Sequence, residues 1–281
     1  RRSEAGDLQR PATSNDRRDG GTTMTRLSES EDMSRPPEDP TVPRFSVEHD
    51  SDPGETLIAG FSSFGLAGLT AVDYLVDDLD LEATGHVRIH GTPSITPFSK
   101  GTPRHPIRLY TASESDVTVL VAEQFVPPFL GELLADALLD WTEANGVDEI
   151  AVLAGVPVPH GPDAHRTFHV ATEDYRDARL GDGVDVPAME SGFLDGANAG
   201  LLERGIDSPL GVGVLVTPVH AQAPDVDAAV RLVDTANAIY DLGVDAAPLE
   251  AFAEEIRRRY EDLAERIEER EPEGSYDRMY M

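Results

Sequence analysis

The sequence predicts an α/β fold in three layers, a mixed, largely parallel sheet covered by helices on both faces. Three observations carry that expectation. Residues 56–60, 117–122, 150–155 and 211–217 are short apolar runs with no polar alternation, the pattern of strands buried on both faces. Stretches with apolar residues every three or four positions separate most of these runs, and strands alternating with helices build parallel sheets. Residues 84–122 hold several strand-like runs with no helical stretch between them, so an antiparallel section is expected as well.

In chain order, residues 1–44 mix Arg, Asp, Ser, Thr and Pro with little apolar pattern, and are expected to remain a disordered leader. The chain opens on Arg1, and Met24 and Met33 are candidate starts that an intact mass would test. An α/β domain is expected over 45–247. Its first strand, 56–60, runs into a glycine-rich turn and an amphipathic helix around 66–76. Strands follow at 86–90, 107–110 and 117–122. Pro127 and Pro128 set up a core-facing helix over 129–144, containing Trp141 and stopped by Gly146. Strands at 150–155 and 168–172 precede a helix at 197–203 closed by Gly205, and the last strand, 211–217, precedes a helix at 226–242 with Gly243 behind it.

Pro248 opens a C-terminal amphipathic helix over 248–270, whose main span of 249–270 is about 33 Å long at 1.5 Å per residue. Leu249, Phe252, Ile256, Tyr260, Leu263 and Ile267 fall on one face, with Glu254, Glu255, Arg257, Arg258, Glu261 and Glu265 on the others. That face either packs back on its own domain or meets another subunit, and it is too short for a sustained coiled coil. Residues 271–281 then form a flexible tail: Pro272 breaks the helix and Gly274 loosens the chain. The stretch 271–278 reaches roughly 26–29 Å when extended. It ends in Met279-Tyr280-Met281, an apolar-Tyr-any tripeptide with a terminal carboxylate.

The 281 residues carry 23 basic and 53 acidic side chains, a formal charge of −30, and Lys100 is the one lysine. Such a field repels phosphate backbones and argues against nucleic-acid binding over a large surface. It suits a cytosol at high salt, where the Debye length falls to about 3 Å near 1 M. An acidic patch for a basic partner is the other reading. Without cysteine there is no disulfide, thiolate nucleophile or Cys-ligated zinc. The apolar runs are too short to cross a bilayer and no signal-peptide core precedes them, so no membrane contact and a cytoplasmic location are expected.

Two places resemble small-molecule sites. The turn Gly60-Phe61-Ser62-Ser63-Phe64-Gly65-Leu66-Ala67-Gly68 follows a strand and opens a helix, where an α/β fold cradles phosphate on backbone amides. It lacks the Lys-Ser/Thr of a P-loop, the dinucleotide fingerprint, and the glycine at position 64 that a nucleophile elbow needs. A tight, closely packed strand-to-helix turn explains it as well. His160, His165 and His169 lie with Asp163 past a strand's carboxyl end, in a Pro/Gly-rich stretch, but their spacing fits no zinc signature. His220 ends the last strand and reads as a hydrogen-bonded loop histidine. Acidic pairs such as Asp77-Asp78 and Glu254-Glu255 say little in so acidic a chain.

Taken together, the run from Leu57 to Gly68, the Pro-rich turn after residues 150–155 and the closing Met279-Tyr280-Met281 make the chain resemble the archaeal proteasome assembly chaperone family over residues 55–270. The resemblance implies a nucleoside-phosphorylase-like body without that activity, no enzyme function and no cofactor. It implies an ATP-independent, homo-oligomeric protein that binds α subunits of the proteasome core particle. Met279 would supply apolar contact, Tyr280 a ring and a hydroxyl, and Met281 a carboxylate for a pocket lysine, which is capture of a chain terminus. The rival expectation is a hydrolase or phosphorylase-like enzyme working at the turn from Gly60 to Gly68 and the loop at His160.

Overall fold

Strands that are apolar on both sides need cover on both faces, and they occupy the middle of one eight-stranded sheet, buried along almost their whole length. The computed structural model describes residues 42–268 except 113–114, 159–160, 162–164, 182 and 221–222, and gives 260–268 by backbone alone. The strands are β1 (Arg44–His49), β2 (Thr56–Phe61), β3 (Glu82–His90), β4 (Phe98–Ser99), β5 (Thr102–Pro103), β6 (Ile107–Thr111), β7 (Val117–Ala122), β8 (Glu149–Val156), β9 (Phe168–Ala171) and β10 (Gly211–Pro218). The helices are α1 (Ala67–Asp78), α2 (Gly131–Asn145), α3 (Glu173–Arg179), α4 (Gly196–Ile206), α5 (Val226–Tyr240) and α6 (Ala247–Glu268).

The sheet order is β1-β3-β6-β7-β2-β8-β10-β9, and β4 pairs with β5 separately. The inner strands β7, β2, β8 and β10 run parallel. At one side β7, β6, β3 and β1 pair antiparallel, and at the other β9 lies antiparallel to β10. The expected mixed α/β sandwich is therefore the observed fold.

Successive residues of the inner strands point to opposite faces, which divides the interior into two cores. Leu57, Ala59, Ile150, Val152, Val212 and Val214 pack with Leu134, Leu138 and Trp141 of α2 and Leu201 of α4. Ile58, Val119, Ala151, Leu153 and Leu215 pack with Ala71, Val72 and Leu75 of α1 and Leu232 and Val233 of α5. Each fully buried aliphatic side chain contributes about 1.5–3 kcal/mol.

Several details depart from expectation. Arg44–His49 is a strand not expected from the sequence, and its first residue, Arg44, falls in the stretch expected to be leader; its alternating Phe45 and Val47 pack on the α2 side. The helix at 197–203 does not stop at Gly205. It continues to Ile206, because Gly205 faces β10 so closely that a Cβ would lie 2.6 Å from Val212 Cγ2. Helix α5 ends earlier than Gly243 requires, on Asp241 in a left-handed conformation with φ 51°. Phe129 does not face the core. It lies in a single 3-10 turn ahead of α2 and is 78% exposed. Of the apolar face expected on α6, Leu249 is buried in the same core as α5, together with Ala253, while Phe252 stays half exposed. The first turns of α6 thus pack on their own domain. Tyr260, Leu263 and Ile267 lie beyond the described side chains.

Candidate functional site

The two ends of the parallel strands are built differently. At the amino end, Glu149 opens β8 and is buried, accepting hydrogen bonds from Thr56 Oγ1 at 2.8 Å and from Arg179 Nε at 2.8 and 2.9 Å. Beside it the hydroxyls of Tyr175 and Tyr240 meet at 2.8 Å, and burial pushes both phenols well above their ordinary range. That end is filled and cross-linked by polar groups.

At the carboxyl end lies a cleft of about 900 Å³, where α/β sheets place their ligands. Its walls are Phe61 to Leu66 after β2, Phe125, Val126 and Pro128 after β7, Gly155 to Val158 after β8, and the segment from Met189 into the start of α4. Asp195 is the one charged side chain among these lining residues. Phe64 and Phe125 are more than half exposed at its rim, and Phe193 stands fully in solvent. Phe129, next to Pro128, adds a fourth exposed ring at the same end. A contiguous apolar surface of this kind marks a place of interaction. Four of the chain's nine phenylalanines are used there, whereas neither Phe125 nor Phe193 lies in a periodic pattern. A Phe beside a Pro-Pro pair was the only signal available for Phe125 and Phe129.

The glycine turn forms one wall of the cleft, but the glycines Gly60 and Gly68 serve as a joint. A Cβ on Gly68 would lie 1.9 Å from the carbonyl oxygen of Leu153, and one on Gly60 would lie 2.4 Å from the carbonyl oxygen of Gly68. Helix α1 therefore sits directly on the backbones of β2 and β8. Gly65 and Leu66 take consecutive left-handed conformations, φ 65° and 50°, to swing the chain from strand to helix. The Asp225 amide donates to the Gly65 carbonyl at 2.8 Å, tying this turn to the start of α5.

Of the expected histidines, His165 and His220 come together, with rings edge to face at 6.3 Å. His169 lies in β9 and is engaged with the Val186 carbonyl at 2.8 Å. His160 and Asp163 lie outside the described residues, as do Met279, Tyr280 and Met281. Among the described residues no three His, Asp or Glu side chains converge as metal ligands, and no helix is long and apolar enough to cross a membrane.

Asp225 is the hub beside His220. Its carboxylate caps α5 by accepting from the Ala228 amide at 3.0 Å, and it accepts from the His220 amide at 2.9 Å and from His220 Nδ1 at 2.8 Å. Burial alone would raise this carboxyl; the His220 and Ala228 bonds and the Arg231 charge outweigh it and hold the group below its ordinary range. Asp225→Ala is expected to lose about 2 kcal/mol of stability near neutral pH. Because the folded value is depressed, that contribution is complete above the unfolded-state value near pH ~4 and fades as the pH falls through the folded value. Thermal melts of the two proteins should converge in acid; a constant gap would contradict it.

Helix α6 starts at the amino end of the sheet, where Tyr74 of α1 bonds the Asp245 carbonyl. It runs antiparallel to α5 until Arg257 reaches Asp227, in the first turn of α5, at 2.6 Å. Ala253, Ile256 and Arg257 border a smaller pocket that shares Ala223 and Pro224 with the cleft. The helix continues to Glu268, about 16 Å further at 1.5 Å per residue, in the direction of the cleft's end of the sheet.

Comparison with known proteins places this arrangement. The family model described as "PAC2 family" matches residues 57–264. An uncharacterized protein of Methanocaldococcus jannaschii is 24% identical over 213 residues, covering 74% of this chain and 85% of that protein. Among solved structures, Pyrococcus furiosus PbaA, an archaeal homolog of proteasome-assembly chaperone, superposes with a TM-score of 0.70 at 23% identity, covering 80% of this chain and 94% of that one. Pyrococcus furiosus PbaB, an archaeal proteasome activator, does so with a TM-score of 0.66 at 20% identity, covering 79% and 99%.

Proposed function

Because the chain belongs to the PAC2 family, we propose that it is an ATP-independent assembly chaperone or activator-like protein of the proteasome, a homo-oligomer that docks on α subunits of the core particle through Met279-Tyr280-Met281. The observation that carries the reading is the course of α6. Its first half is anchored on α5, and the helix runs on past the Arg257–Asp227 pair to Glu268, pointing toward the cleft's end of the sheet. Tyr280 would supply a ring and a hydroxyl to a pocket, Met279 apolar contact and Met281 the carboxylate. The names of the PbaA and PbaB structures support the same direction. The body would act by arranging copies, since several weak tails on one oligomer raise avidity by about 10²–10⁴-fold. Binding energy alone would drive its effect, in keeping with the lack of a P-loop signature.

The experiment is a pull-down of proteasome α subunits at high salt, which screens the charge of −30. Tyr280→Ala, removal of Met281 and addition of one residue after Met281 are each expected to abolish capture while leaving the melting temperature unchanged. Capture at the wild-type level by all three would overturn the reading.

A further inference from the structure

A knob and a hole of matching chemistry stand side by side at the carboxyl end of the sheet. Phe193 projects fully into solvent, and the adjacent cleft of about 900 Å³ is walled by Phe61, Phe64, Val126, Val156 and Leu194. We propose that this face is where one copy of the chain holds another, each Phe193 entering the cleft of its neighbour. The proposal rests on the oligomer that the docking reading requires, and adds the surface that makes it.

Two observations select a second copy as the occupant. The first is self-complementarity. Both halves of the contact occur on one face of one chain, so a two-fold pairing satisfies knob and hole on both sides. Phe64, Phe125, Phe129 and Phe193 from two copies remove on the order of 1,000 Å² of aromatic surface from water, the scale at which specific interfaces begin.

The second is charge. Two chains that each carry −30 repel across almost any pair of surfaces, and the repulsion is least where acids are absent. The cleft, with Asp195 the only charged residue among its described lining residues, is such a place in a chain with 53 acids. A basic partner would choose the opposite kind of surface. Association through this face should strengthen with salt, which screens the like charges and leaves the apolar contact intact. An interface held by ion pairs would weaken.

The test is the light-scattering mass of the full chain at several concentrations and salt levels, with Phe193→Asp and Phe193→Leu beside it. The wild type is expected to exceed the mass of one chain. Phe193→Asp should weaken self-association by about 30-fold or more, as loss of a central aromatic anchor does, and Phe193→Leu less. Because Phe193, at the cleft's edge, is fully exposed, the melts of both variants should match the wild type. Since the chain has no cysteine, a second measurement is clean: Phe193→Cys copies mixed with Ser63→Cys copies of different length should form a mixed disulfide on oxidation. A wild type of single-chain mass at every concentration, or an oligomer unmoved by Phe193→Asp and yielding no mixed disulfide, would overturn the proposal. The pull-down separates the two ideas. Tail-dependent capture by a protein whose oligomer ignores Phe193 sinks only this one; an oligomer that depends on Phe193 but captures nothing sinks only the docking reading.

Discussion

Gly68→Ala is expected to cost at least about 3 kcal/mol, at or beyond the upper range for overpacking, and to lower the melting temperature by roughly 6–12 °C in a domain of this size. The added methyl would meet the Leu153 carbonyl oxygen at 1.9 Å and its carbon at 2.8 Å. Those atoms belong to β8, held in register between β2 and β10, so the strand cannot yield. The helix must rise instead, and with it the fully buried Ala71, Val72 and Leu75, leaving voids on the α1 side of the sheet. Gly181→Ala is the control, since a Cβ there meets nothing within 4 Å, and it should stay within about 0.5 kcal/mol of the parent. Equal melts for Gly68→Ala and its parent would mean that α1 is not seated as described.

Arg179→Ala should be as damaging by a different route. It strands the Glu149 carboxylate, 8% exposed, with Thr56 Oγ1 as its remaining donor. A buried charge without its counter-charge costs about 3–5 kcal/mol. The pair itself need not stabilise the fold that much, and a second change shows the difference. Glu149→Gln combined with Arg179→Ala should recover a large part of the loss, because a neutral amide needs no cation beside it. The denaturant midpoints of the four proteins form a cycle; if the double variant is no more stable than Arg179→Ala alone, stranded charge is not the cause.

The inner strands were legible because their burial is uniform. Each residue from Val117 to Ala122 and from Gly211 to Pro218 is buried, so local composition already describes the environment. The same held for the helices facing the two cores, whose apolar positions repeat at helical spacing. What escaped depends on contacts distant in sequence. Arg44–His49 alternates as a strand does, but it adjoins a polar stretch and gains its meaning only from pairing with β3. Helix α3 is short and charged, with Tyr175 its one buried residue, so it carries little apolar pattern. The turn from Gly60 to Gly68 admitted two readings, a phosphate cradle or a close-packed joint. Deciding between them for Gly68 took the position of Leu153, far along the chain. The exposed rings of Phe125, Phe129 and Phe193 were the least legible, since nothing local distinguishes a phenylalanine bound for solvent from one bound for the interior.

The bond between Arg257 and Asp227 falls midway along α6, with helix on either side of it. A rod gripped at its midpoint behaves as a lever. A tilt of ten degrees about that fulcrum would sweep the second arm through an arc of about 3 Å at Glu268, judged from helical rise alone. Small adjustments in how the first turns of α6 are seated would be magnified at Glu268 without any loosening of the sheet.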